Sequence, residues 1–69
     1  MKVEEALNQL DKPTEKDGYS KLIAKSKKLN KHLIYSGYGL AICTGDWPAP
    51  YSLQEPDHET DDWEVVDKL

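Results

Sequence analysis

Sixty-nine residues with a net charge of −4 and 38% hydrophobic side chains describe a single small domain, residues 1–69, with a core of limited size. Such a chain buries only about 60% of the surface its unfolded form exposes, and domains this small commonly recruit a disulfide, a metal or a second copy of themselves. Cys43 is the only cysteine, which excludes an internal disulfide and fits a reducing compartment. His32, Cys43 and His58 lack metal-ligand spacing, so no cofactor is expected and a homo-oligomer is the remaining staple. No apolar stretch approaches the ~20 residues of a membrane span. "MKVEEALNQL" carries acid where an export signal would be apolar, so a cytoplasmic protein without a membrane partner is expected. All nine basic side chains are lysine. Bidentate reading of guanine or phosphate uses arginine, so sequence-specific DNA binding is disfavoured.

In chain order, Val3, Ala6, Leu7 and Leu10 recur at i, i+3, i+4 and i+7 and predict a short amphipathic helix. Glu4 and Glu5 suit its first turn, and Asp11-Lys12-Pro13 stops it. "TEKDG" reads as a turn. "YSKLIAKS" predicts a strand, and "KKLNK" a polar connector. "HLIYSGYGLAIC" predicts a tight hairpin about Ser36-Gly37, the glycine supplying a positive φ. Leu33 and Tyr35 should share one face with Leu40 and Ile42. "TGDWPAPYS" reads as a loop, because Pro48 and Pro50 each lack a ladder donor. "LQEPDHET" has room for one helical turn, and "DWEVVDK" alternates as a closing strand with Trp63 and Val65 on one face. The expected fold is α+β: one N-terminal helix packed on a strongly curved antiparallel sheet of about four strands.

These elements, in this order, resemble a small phage and bacterial domain family that includes the Thoeris anti-defence sponges and at least one anti-CRISPR protein. Members typically open with "M-x-F-E-E-A-L-x-x-L", continue through a basic "R-K-G-W" or "R-K-S-W" strand and an aromatic hairpin, and close with "D-D-W-E-V-V" or a near variant. Here "MKVEEALNQL" matches the opening, with Val3 for the usual aromatic. "AKSK" (24–27) falls at the basic motif, "HLIYSGYGLAI" at the hairpin and "PYSL" (50–53) before the end. "DDWEVV" (61–66) matches outright. Ala24 and Lys27 stand where the family has arginine and tryptophan. The resemblance implies a homo-oligomer that binds cyclic nucleotide-type immune signals near subunit interfaces and releases them unchanged, in the host cytoplasm if the protein is viral.

Two functional readings follow. In the first, the protein sequesters a cyclic nucleotide or ADP-ribose-derived signal. Lys25 and Lys27 meet phosphates, Tyr35 or Trp47 stacks on a base, and Asp61 addresses polar edges. In the second, Glu55, Asp57 and Glu59 form an acidic face that blocks a basic surface of a host protein, with opposite fields steering the encounter. A structural interaction module is the third option. An enzyme is not expected. The sequence has no Gly-rich phosphate loop, H-E-x-x-H or G-x-S-x-G, and adjacent strand residues such as Asp61 and Asp62 point to opposite faces.

Overall fold

The computed structural model describes residues 1–44 and 47–67, with the Trp47 side chain outside the described set. Helix α1 (Val3–Asn8) forms on the predicted stripe and ends at Gln9. Val3, Ala6, Leu7 and Leu10 are all buried. They pack with Ala24, Leu33 and Trp63, and around them sit half-buried Leu22, Leu40, Ile42 and Val65. The apolar stripe has little helix-forming power over six residues, so packing against the sheet holds this helix together.

The sheet consists of β1 (Ile23–Ser26), β2 (Lys31–Ser36), β3 (Gly39–Thr44), β4 (Trp47–Pro50) and β5 (Glu64–Val66). All neighbouring pairs are antiparallel, in the order β4-β3-β2-β1-β5. A second helix, α2 (Glu55–Glu59), precedes the closing strand. The protein is therefore α+β, with an open sheet. Its Cα radius of gyration, 11.0 Å, is what a single compact chain of this length should have.

Register assigns the faces. Ala24 pairs with Leu33, Leu33 with Ile42, Tyr35 with Leu40 and Ala24 with Val65. Side chains alternate along strands, so these residues share the face that α1 covers. Ile23, Lys25, Ile34, Ala41 and Val66 occupy the other. The predicted faces of the hairpin are thus found, but its register is corrected: the turn is Gly37-Tyr38 rather than Ser36-Gly37, so Tyr35 meets Leu40 and not Tyr38. The closing motif is a strand with Trp63 only 1% exposed, its indole N–H donating to the Asp57 carbonyl at 3.0 Å. The Trp63 amide donates to the Met1 carbonyl at 3.1 Å, so the start of the chain lies along the outer edge of β5.

Three further expectations are corrected. Residues 47–50, expected as a loop, pair with β3 and bring the expected sheet of about four strands to five. The prolines permit this through their direction. The Tyr51 amide donates to the Leu40 carbonyl at 3.1 Å, so positions 47, 49 and 51 face β3, while Pro48 and Pro50 turn their missing donors outward. The hairpin's positive φ belongs to Gly39 (φ 122), at the start of β3, rather than to its Gly37-Tyr38 turn. The strand predicted from Tyr19 begins at Ile23. Tyr19 forms a separate bridge with Ser36, and the Asp11 carboxylate accepts the amides of Lys21 (2.9 Å) and Leu22 (3.1 Å) between them.

Candidate functional site

Among the described side chains, those expected to hold a nucleotide lie apart within the chain. Lys25 pairs with His32 and Glu64 on the helix-free face. Tyr35 sits on the opposite face, packed against the core, with the Lys12 ammonium 5.4 Å from its ring centroid. Lys27 is exposed in the β1–β2 turn. Asp61 is at the chain start, where its carbonyl accepts from the Met1 ammonium at 2.8 Å. Its neighbour Asp62 ties down the β1–β2 turn, accepting from Ser26 Oγ (2.6 Å) and the Lys28 amide (2.8 Å). These bonds hold the Asp62 carboxyl below its ordinary pKa. The Trp47 side chain lies outside the described residues.

The acidic segment divides. Glu55 and Glu59 are exposed on α2, whereas Asp57 between them is fully buried. Its carboxylate accepts from Lys31 Nζ (2.8 Å), the Gln54 amide (2.8 Å) and the Tyr51 hydroxyl. Burial acts to raise the Asp57 carboxyl, but the bonds from Lys31, Tyr51 and Gln54 outweigh it and hold it below the usual carboxylate range. Lys31 is raised in turn by Asp57 and Tyr51. Asp57 fastens α2 to β2 and cannot contribute to an outward acidic face.

A cavity of about 220 Å³ opens on the helix-free face, lined chiefly by Lys16, Asp17, Tyr19, Tyr38, Pro48 and Pro50. Its floor includes Ala41, which is buried beside buried Ile34 in the β2–β3 ladder. One wall is the loop 13–18, which crosses close to the hairpin turn. The Gly37 amide donates to the Gly18 carbonyl at 3.1 Å, and the Ser20 amide to the Tyr35 carbonyl at 2.8 Å. A Cβ on Gly37 would fall 2.2 Å from the Glu15 carbonyl oxygen and 2.5 Å from the Lys16 Cα. Glycine is required there by this approach and not by its backbone angles.

Among the described residues, the two tyrosines are the large hydrophobic side chains left most open, Tyr19 at 54% and Tyr38 at 79% exposure. Sequence reasoning passed over them in favour of Tyr35 and Trp47. A signal for both was present: each follows a glycine, in "DGY" and "SGYG", at a turn where an aromatic side chain has little core to enter. Among the described residues, no group of three or more His, Cys, Asp or Glu side chains is placed to hold a metal ion. No described helix is long and apolar enough to cross a membrane. Comparison of the chain with family models, with curated proteins and with solved structures yields no match.

Proposed function

We propose that the protein is a non-catalytic, phage-type anti-defence protein that binds and sequesters a nucleotide-type immune signal, a cyclic nucleotide or an ADP-ribose derivative, without cleaving it. The observation that carries this reading is the cavity on the helix-free face, where two exposed tyrosines and a lysine surround an apolar floor. Base stacking on an aromatic side chain contributes roughly 1–3 kcal/mol, Lys16 supplies a mobile positive charge for phosphate, and Asp17 can accept from a ribose hydroxyl or a base amine. Acting in the host cytoplasm, such a protein lowers the free signal concentration, which takes affinity and copy number rather than turnover. A homo-oligomer would add surface around each cavity. The alternative, a host-protein inhibitor working through Glu55, Asp57 and Glu59, loses its middle residue to the interior.

The test is calorimetry of the purified protein against a panel of cyclic nucleotides and cyclic ADP-ribose isomers, with each mixture then heated to recover the ligand. Tight binding and release of intact ligand is the expected result. A panel without a single binder overturns the reading.

A further inference from the structure

The cavity beside the 13–18 loop is small for a whole signalling nucleotide. Its volume of about 220 Å³ lies below the roughly 300–1,000 Å³ of sites that enclose a drug-sized ligand. The lining is also segregated. Ala41, Pro48 and Pro50 make an apolar floor and side, while Lys16 and Asp17 bring charge at the loop wall alone. Tyr19 and Tyr38 keep most of their surface free for a partner, whereas Tyr35 is engaged with the core. An aromatic, ring-sized space with an apolar floor and with a cation and a carboxylate side by side at its wall suits a flat heterocycle that carries an anionic group on a short tether for Lys16 and a hydroxyl or amine donor for Asp17.

We propose that this cavity is a ring subsite, taking the heteroaromatic base of a phosphorylated nucleoside against Tyr19 and Tyr38 while the phosphate stays at the rim beside Lys16. The ligand class rests on the sequestering function proposed above. Lysine is adequate here because the rim needs a point charge and not a bidentate fork. Gly37 is a positioning residue: it lets the loop bearing Lys16 and Asp17 close against the hairpin, and so sets the distance from that wall to Tyr38.

The test titrates the 15N-labelled full chain separately with adenosine, adenosine 5′-monophosphate and inorganic phosphate. Adenosine and the monophosphate should move the amides of Gly37, Tyr38 and Ala41, the monophosphate binding the tighter of the two, and phosphate alone should leave the Ala41 amide in place. Tyr38→Ala should weaken both nucleosides about tenfold, within the range for base stacking. Lys16→Ala should remove the advantage of the monophosphate and spare adenosine. Gly37→Ala should weaken both while the buried Trp63 keeps its native fluorescence. Cavity amides that ignore both nucleosides, or a Tyr38→Ala variant with native affinity, would overturn the proposal. The two readings fail separately. If a panel nucleotide binds tightly, Tyr38→Ala is neutral and Lys25→Ala with Lys27→Ala is disabling, the ring subsite falls and sequestration stands. If adenosine moves the cavity amides and no panel member binds tightly, sequestration falls and the ring subsite stands.

Discussion

Asp57 illustrates how one residue can belong to the surface by composition and to the core by position. It lies between Glu55 and Glu59, yet its carboxylate turns back to the Gln54 amide just before α2 and reaches Lys31 and the Tyr51 hydroxyl. Its side chain is therefore fully buried while both acidic neighbours stay exposed. Removing one partner of a buried ion pair leaves the other charge uncompensated, so Asp57→Ala should cost about 3 kcal/mol, measurable by urea unfolding. The pH dependence follows from the directions of the shifts. Asp57 is lowered in the fold, so its contribution is complete above the unfolded value of about 4 and is lost as pH falls through the folded one. Lys31 and Tyr51 are raised, Lys31 by its bonds to Asp57 and Tyr51, and Tyr51 by burial and by Asp57. Their contributions persist to about pH 10 and are lost above it. The thermal midpoint should be level between about pH 5 and 9 and fall on both sides, and Asp57→Asn should flatten the acid side. A midpoint indifferent to pH below 4 would contradict this account.

Among the elements, the hairpin and α1 were legible in the sequence because each advertises itself by periodicity; alternation places Leu33, Tyr35, Leu40 and Ile42 on one face, while the partners Leu33–Ile42 and Tyr35–Leu40 depend on a turn one residue later than expected. Strand β4 was not, since its two prolines deny a ladder on one side only and the side depends on register with β3. That placement also protects the sheet. Pro48 and Pro50 leave the outer edge of β4 without donors at those positions, a common guard against edge-to-edge pairing. Replacing both by threonine restores two outward N–H groups. The double variant should associate with rising concentration, as read by light scattering, where the parent chain does so less. The hairpin turn carries a second hidden constraint, because nothing local to "SGYG" reveals that residues 15 and 16 press on Gly37. The expected cost of Gly37→Ala therefore falls on the loop and its cavity rather than on the core, and hydrogen exchange of the Gly18 and Ser20 amides should quicken in that variant.

For the molecule as a whole, the division into a covered and an uncovered sheet face decides which residues can act together. Lys25 and Tyr35 were assigned to one site from their chemistry, but the pairing of Lys25 with His32 puts Tyr35 on the other side of the sheet. Once a register is proposed, parity alone makes this assignment. The covered face should dominate stability. Leu7→Ala, which empties space between α1 and the sheet, should cost about 2–5 kcal/mol and leave adenosine binding at the uncovered face unchanged when measured below the unfolding transition. The same architecture has a consequence for the order of folding. Trp63, the largest fully buried side chain among the described residues, packs with Val3, Ala6 and Leu7, and its amide binds the Met1 carbonyl. Met1 and Trp63 stand 62 positions apart, so the core is completed by a contact of high sequence separation whose loop must close before the contact repays it. The hairpin, a local contact, should form ahead of this clasp, and an intermediate in which α1 still shows its apolar stripe to water is the form most exposed to chaperones and proteases.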